Sequence, residues 1–365
     1  MSSAPEKKIW IVAAGTGGHI FPGLAIAKKM QEIAPQTRIT FIGTKDRLEE
    51  KIVPKHGFEI KFLTAKQWKG KGVLARLSSL MALIKSTYLV WKMIPKEKPT
   101  ALISVGGYVS MPVGIACWLR SKPIFLLEPN IRAGIANCVL SRFARRAFTV
   151  MGSDALKKFH CPTEESGNPV LGSFNVNPIR KEAKNLLILG GSQGARILCH
   201  VGLNAYNRLL NRGVKLNLFL QSGEKNLEDA LEQKKSLKLH EECVVSSFID
   251  DMPQKLEWAD VIIARAGAMT LTELSLTQVP SILVPFPQAA DDHQRVNAKL
   301  LAAEGAAIIV DEKEKDFEKK LEDQLYLLVA ASNSYEYRKK MSENLGTFAR
   351  PNAAQKIVSE IFAEL

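Results

Sequence analysis

Cysteine is scarce, and what there is forms no pattern. Cys117, Cys138, Cys161, Cys199 and Cys243 are odd in number and none belongs to a CxxC pair. That excludes a disulfide framework and predicts buried free thiols in a reducing compartment. The six histidines show no zinc-ligand spacing, so no metal site is expected. Long apolar runs are missing as well. No window reaches the ~18 uncharged apolar residues of a membrane span. The best candidate, residues 73–94, is interrupted by Arg76, Lys85 and Lys92. The apolar run after Lys7 and Lys8 stops at Gly15, too short for the core of a secretory leader. The expectation is a cytoplasmic protein, not necessarily far from a membrane. Acidic residues are in deficit, 37 against 50 basic ones, for a formal net charge of +13. Such a surplus favours an anionic partner: nucleic acid, a membrane surface or a phosphorylated substrate. No RRM, KH or zinc-finger pattern accompanies it, which argues against nucleic acid.

What is present is the composition of a globular protein, 46% hydrophobic and 24% charged over 365 residues, a length that suits two domains. The pattern alternates strand and helix, so the class is α/β with parallel, helix-covered sheets. Strands are expected at 9–14, 38–42, 101–105, 123–127 and 147–150. A second set is expected at 216–220, 244–248, 261–264, 281–284 and 307–310. The first helix is expected at 22–33, with Pro22 in its first turn. Between the sets, "CPTEESGNPVLGSFNVNPIRKEAK" is rich in Gly, Pro, Asn and charge, as a domain boundary would be. After it the opening theme of strand, glycine turn and helix returns in "NLLILGGSQGARILCHVGLNAYNRLL". The chain closes on a helix with Pro351 near its start.

The glycine turns fit neither of the two best-known phosphate loops. A GxGxxG fingerprint requires glycine where Ile20 stands, and a Walker loop requires a GK[ST] that is not there. A nicotinamide enzyme and a P-loop ATPase are therefore disfavoured. The physics of a helix start still favours an anion, because backbone N–H groups are left free there and glycines admit close approach. His19 stands at the mouth of the first turn. A positive helix end keeps an imidazole neutral, and a neutral imidazole accepts a proton from a hydroxyl. A histidine that only hydrogen-bonds the loop is the other reading.

In the second half, residues 261–264 run into Arg265-Ala266-Gly267-Ala268 and a helix carrying Thr270, Thr272 and Glu273. A carboxylate there can accept both hydroxyls of a ribose; a plain acid at a helix start is the alternative. Downstream, "FPQAADDHQRVNA" sets Asp292, His293, Gln294 and Asn297 at another strand-to-helix turn. Near the middle of the first half, Leu77, Leu80, Ile84, Tyr88 and Trp91 recur at spacings of three and four, a stripe on one helix face. Lysines flank it at Lys66, Lys69, Lys71, Lys92, Lys96 and Lys98. The stripe is either core or a contact with an anionic membrane.

The blocks "GTGGHIFPGLAIA", "GGYVSMPVGIACW", "LEPNIRAGIAN", "GNPV", "GGSQGARILC", "FIDDM", "RAGAMTLTE" and "DDHQRVNA", in this order, resemble the MurG family of UDP-N-acetylglucosamine (UDP-GlcNAc) transferases. That family completes lipid II in bacterial peptidoglycan synthesis. The resemblance covers residues 9–310. It implies the GT-B fold: two Rossmann-like, doubly wound domains facing a cleft, with the C-terminal helix returning to the first. The implied domains are 1–164 for the lipid acceptor and membrane contact, 165–345 for the donor, and 346–365 for the returning helix.

The resemblance further implies that GlcNAc moves from UDP-GlcNAc to the C4 hydroxyl of MurNAc in lipid I, with inversion. His19 would be the base. Thr16, Gly17 and Gly18 would lie at the donor sugar and the acceptor diphosphate. Asn130 would touch the sugar, Ser192 the nucleotide, and Ile249 the uracil through its backbone. Ala268, Met269, Thr270, Leu271, Thr272 and Glu273 would hold the diphosphate and ribose, with Glu273 on the ribose. Gln294 would bind GlcNAc beside His293. Lys69, Lys71, Leu77, Leu80, Ile84, Tyr88, Trp91, Lys92 and Trp118 would meet an anionic membrane. No DxD metal motif occurs, so no cofactor or metal is expected. The partners implied are UDP-GlcNAc, lipid I, the cytoplasmic side of the inner membrane, and a cell-wall synthesis complex. Two positions depart from the family pattern: Leu171 where arginine is usual after "GNPV", and Pro129 where "EQN" is usual. A UDP-GlcNAc 2-epimerase, a transferase with another lipid acceptor, and a sugar-nucleotide-binding regulator share the architecture.

Overall fold

The structure, a computed structural model, describes residues 7–63, 73–191, 194–289 and 292–365, the side chains of 73–77 excepted. The chain divides into two units, Met1–Leu171 with Arg350–Leu365, and Gly172–Ala349.

In the first unit the strands are β1 Lys8–Ala13, β2 Arg38–Gly43, β3 Glu59–Phe62, β4 Ala101–Gly106, β5 Ile124–Glu128, β6 Arg146–Thr149 and β7 Thr163–Glu165. They form one parallel sheet in the order β3-β2-β1-β4-β5-β6-β7. The central strand is apolar on both faces because both faces are covered. Ile9, Ile11 and Ala13 enter one core cluster, and Trp10 and Val12 enter the other. Helices α1 Gly17–Ile33, α2 Leu48–Lys55, α3 Val73–Glu97, α4 Ser110–Leu119, α5 Ile135–Leu140 and α6 Ala155–Lys158 fill the crossovers.

The second unit has β8 Asn185–Leu189, β9 Asn217–Gln221, β10 Cys243–Ser246, β11 Val261–Ala264, β12 Ser281–Leu283 and β13 Ile308–Ile309 in the order β10-β9-β8-β11-β12-β13. Its helices are α7 Arg196–Asn211, α8 Leu227–Ser236, α9 Met252–Trp258, α10 Ala268–Thr277, α11 His293–Ala303, α12 Phe317–Val329 and α13 Ser334–Gly346. Both sheets are doubly wound. The chain leaves β1 to one side and returns to its other side at β4, and it does the same around β8 at β11. The loops after β1 and β4, and after β8 and β11, therefore diverge, and such switch points open crevices for ligands.

Three expectations change. The first helix starts at Gly17 rather than 22, so Pro22 lies inside it. The proline stands one turn in and leaves the Gly18 carbonyl without the intrahelical bond that residue 22 would otherwise donate. Strands β3 and β7 are additional to those expected; both are short edge strands with charged residues and no fully buried side chain. The units meet at 171/172 and 349/350 rather than at 164/165 and 345/346. The segment after β7 stays with the first unit for a physical reason. Ser166 and Gly167 both donate to the Thr149 carbonyl, at 2.9 and 3.1 Å, and Asn168 Nδ2 donates to the Pro129 carbonyl at 3.0 Å.

Helix α14, Ala353–Ala363, belongs to the first unit and buries Ile357, Val358 and Ile361 in the core that holds Ile20 and Leu24 of α1. Arg146 anchors its end, donating from Nε to Glu364 at 2.6 Å with Glu164 and Glu360 each at 3.6 Å. Ile357→Ala removes a fully buried side chain, a loss of about 2–5 kcal/mol. Amide exchange should accelerate in β1 and leave β8 unchanged. Equal acceleration in both strands, or in neither, would contradict the membership of α14 in the first unit.

Candidate active site

The first glycine turn follows β1. Gly15 adopts φ +101°, and Thr16 is the N-cap of α1, with no side-chain cap and no acid in the first turn. The amides of His19 and Ile20 both donate to the Thr16 carbonyl, at 3.1 and 3.2 Å. Those of Gly17 and Gly18 have no partner among the described residues. The Gly15 amide points the other way and donates to Glu49 Oε2 at 3.2 Å. His19 is half-buried, its Nδ1 3.4 Å from Thr16 Oγ1. Its ring lies against the turn after β4: a Cβ on Gly106 would stand 3.0 Å from both Cδ2 and Nε2. Gly107, at φ +91°, would place a Cβ 2.7 Å from the Ala14 carbonyl oxygen. The two turns are thus in contact, with the imidazole between them.

The loop after β5 is organised by Glu128, a buried carboxylate at the end of an apolar strand. Oε1 accepts from the Asn130 amide at 3.2 Å and Asn130 Nδ2 at 3.4 Å. Oε2 accepts from the Gly134 amide at 2.9 Å and Asn137 Nδ2 at 3.0 Å. Burial pushes the Glu128 pKa up, against the opposing pull of these donors. Pro129 does not disrupt the loop, because Glu128 and Asn168 hold its flanks. Leu171 turns into the first unit's core and packs there, so no polar contact comes from its side chain.

In the second unit, Gly191 and Gly194 take φ +80° and +74° after β8. Ser192 lies outside the described residues. The turn after β11 leads to α10, whose N-cap is Gly267, again without a side-chain cap or an acid in the first turn. The amides of Ala268, Met269 and Thr270 have no partner among the described residues, while Leu271 N closes on Gly267 O at 3.0 Å. Buried side chains fix this turn from behind. Asn297 Nδ2 donates to the Ala266 carbonyl at 3.3 Å. Arg265 Nη1 reaches the Val284 and Pro285 carbonyls at 3.2 and 3.3 Å and Glu312 at 2.6 Å.

Thr272 spends its hydroxyl on the Ala268 carbonyl at 3.0 Å. The half-buried Glu273 carboxylate has no partner among the described residues, and burial pushes its pKa up to about 8. The Ile249 side chain is buried, and its backbone N–H and C=O are unpaired among the described residues. Gln294 is oriented by its Oε1, which accepts from the Phe286 amide at 3.0 Å. That leaves its NH2 as the outward donor. His293 is half-buried at the start of α11, after a left-handed Asp292 at φ +55°.

Thr16, Gly17, Gly18, His19 and Asn130 lie after strands β1 and β5 of the first unit. Ile249, residues 268–273, His293 and Gln294 lie after strands β10, β11 and β12 of the second. Reading the sequence missed Glu49 and the anchoring role of Glu128. A lone acid closing a buried strand marks Glu128. Glu49 has no such mark, since "RLEEK" reads as a solvated helix start.

The α3 stripe divides. Ser86, Val90 and Ile94 form the helix's buried face, and Trp91 is half-buried and packs against the core rather than standing free, while Leu80, Met81, Ile84 and Tyr88 are 49, 72, 60 and 51% exposed. Trp118 of α4 is also exposed. Tyr88 and Trp91 stack at 6.3 Å; Lys92 sits 4.5 Å over Tyr88 and Arg120 3.7 Å over Trp91. Lys69, Lys71 and the side chain of Leu77 lie outside the described residues.

The glycosyltransferase family 28 N-terminal domain matches residues 9–149, and the C-terminal domain of that family matches residues 185–357. A relative from Anaeromyxobacter sp. (strain Fw109-5) is 35% identical over 98% of this chain and 93% of its own. One from Histophilus somni (strain 129Pt) is 37% identical over 86% of this chain and 87% of its own. Both are named UDP-N-acetylglucosamine--N-acetylmuramyl-(pentapeptide) pyrophosphoryl-undecaprenol N-acetylglucosamine transferase. The crystal structure of Acinetobacter baumannii MurG aligns with a TM-score of 0.78 at 29% identity, over 98% of this chain and 100% of that one.

The raised Glu273 pKa makes a prediction about stability. An acid pushed up from 4.5 to about 8 is still protonated in the folded chain where its unfolded counterpart is ionised. Its contribution is complete below the unfolded value and is lost as the pH rises towards the folded one. Glu273→Gln keeps the shape and cannot ionise. Its melting temperature should exceed that of the native chain by a margin that grows from pH 5 to pH 8. A margin independent of pH would contradict the raised pKa.

Proposed function

The chain belongs to glycosyltransferase family 28, and from that membership we infer that it is a hexosyltransferase moving GlcNAc from UDP-GlcNAc to lipid I. Lipid I is the N-acetylmuramyl-pentapeptide pyrophosphoryl-undecaprenol acceptor, and the product is lipid II of peptidoglycan synthesis. The observation that carries the reading is a pair of helix starts, one per unit, each at a switch point and each with unpaired amides. Both substrates of this reaction contain a diphosphate, and a helix start of this kind is built for one.

We assign the donor to the second unit. The amides of Ala268, Met269 and Thr270 face the diphosphate, and the partnerless Glu273 carboxylate takes the ribose hydroxyls. The unpaired backbone N–H and C=O of Ile249 complement O4 and N3–H of uracil. The Gln294 amide, with His293 beside it, reads sugar hydroxyls; Asn130 of the first unit adds a contact to the sugar, and Ser192 one to the nucleotide. We assign the acceptor diphosphate to Thr16, Gly17 and Gly18. His19 takes the proton from the C4 hydroxyl of MurNAc as that oxygen attacks the anomeric carbon. The bond from that carbon to the UDP oxygen breaks, the configuration inverts, and UDP leaves with its charge held by backbone amides.

The exposed apolar face of α3 with its cationic rim suits a lipid surface. We assign the enzyme to the cytoplasmic side of the inner membrane as a peripheral protein. No helix among the described residues is long and apolar enough to cross a membrane.

Two substitutions should separate chemistry from binding. His19→Ala should lower turnover on lipid I by roughly 10²–10⁴-fold with UDP affinity kept. Glu273→Ala should weaken UDP by about ten- to a hundredfold. Label from UDP-GlcNAc should enter lipid only when lipid I is present. Near-native turnover in the histidine variant would remove His19 as the base, and label released without lipid I would overturn the transferase reading.

Ile84→Glu with Lys92→Glu should reduce co-sedimentation with anionic vesicles and make what remains less sensitive to salt, each lysine near the surface contributing about 1 kcal/mol. Binding indifferent to both changes would remove α3 as the lipid contact.

A further inference from the structure

Glu49 is 0% exposed, yet it is a carboxylate in the first turn of a helix whose sequence reads as solvent-facing. Burying a charge is expensive unless it is paired or fully hydrogen-bonded. No cation pairs with it among the described residues. Its two oxygens instead take donors from two different loops. Oε2 accepts from the Gly15 amide at 3.2 Å. Oε1 accepts from the Thr44 amide at 3.2 Å and the Thr44 hydroxyl at 3.0 Å. The Thr44 hydroxyl in turn accepts from the Tyr108 hydroxyl at 3.1 Å. Gly15, Thr44 and Tyr108 stand in the loops after β1, β2 and β4, three adjacent strands of the sheet. Room for the side chain is made by Gly43, where a Cβ would lie 2.8 Å from Glu49 Cγ.

We propose that Glu49 is a positioning residue for the acceptor diphosphate. It draws the Gly15 amide backward so that the amides of Thr16, Gly17 and Gly18 stay unpaired and face the ligand. Through Thr44 and Tyr108 it also fixes the Gly106-Gly107 turn against which His19 rests. The proposal rests on the reading of the 15–18 turn as the acceptor site. A merely structural acid at this position would need to reach neither loop. Its helix dipole would stabilise it just as well at the surface.

Glu49→Gln preserves shape but presents an NH2 group to one of the two loops, leaving an amide donor facing a donor. In the free full-length enzyme, exchange of the Gly15 amide should accelerate. In the assay with UDP-GlcNAc and lipid I, the KM for lipid I should rise about ten- to a hundredfold, the span of a lost charge-assisted hydrogen bond. UDP affinity should stay at the native value. Thr44→Val, which keeps the shape and the amide bond but removes the hydroxyl link, should act in the same direction more weakly and covers the case in which Glu49→Gln does not fold. Unchanged Gly15 exchange in Glu49→Gln, or an unchanged KM for lipid I in Thr44→Val if only that variant folds, overturns the positioning role. Accelerated exchange with an unchanged KM for lipid I overturns instead the reading of the turn as the acceptor site, and the proposal with it. A parallel loss of UDP affinity would mean a general structural role and would also overturn it.

Discussion

Backbone amides that are left without partners, and held in place while unpaired, are the constraint on which the rest of this structure depends. A helix start leaves its first amides without intrahelical partners, and an anion can take them up where no side chain does. Among the described residues the amides of Gly17 and Gly18 in one unit, and of Ala268 to Thr270 in the other, are in that state. Neither helix start carries a capping side chain or an acid in its first turn. Either would have satisfied the amides internally or repelled an anion. Each turn also sits at the switch point of its sheet, where diverging loops leave the helix start accessible.

Holding such turns without satisfying them falls to buried polar side chains on the far side. Glu49 takes the Gly15 amide, Asn297 donates to the Ala266 carbonyl, and Arg265 ties the same region to the strand end at Val284. Glu128 does comparable work by tying the loop at Asn130 to helix α5 at Asn137. Charged groups that contact no ligand therefore cluster beneath the sites, at a cost in stability that packing elsewhere offsets. The Glu273 carboxylate, which has no partner among the described residues, is destabilised by burial. That is expected of a group whose hydrogen bonds are completed by a ribose.

Much of this was legible in the sequence. The two glycine turns, the alternation of strand and helix and the return of the last helix all follow from periodicity, breakers and the resemblance. The 268–273 turn was readable because glycine precedes a helix that follows a four-residue apolar strand. The start of α1 was not, since Pro22 signals a first turn but stands inside the helix. Nor was Glu49, whose neighbours are charged and whose burial depends on Gly43, a contact that no local pattern encodes. The α3 stripe had the right period for a core face, and only packing decides that Val90 and Ile94 are the residues buried. Leu171 could be seen to depart from the family pattern, but its destination in the core depends on tertiary contacts.

The most direct measurement is residue-resolved amide exchange of the full-length enzyme with and without UDP. The account predicts slowed exchange at Ala268, Met269, Thr270 and Ile249, with the amides of Thr16, Gly17 and Gly18 unaffected until lipid I is added. Protection by UDP alone at the 16–18 turn, or none at 268–270, would contradict it.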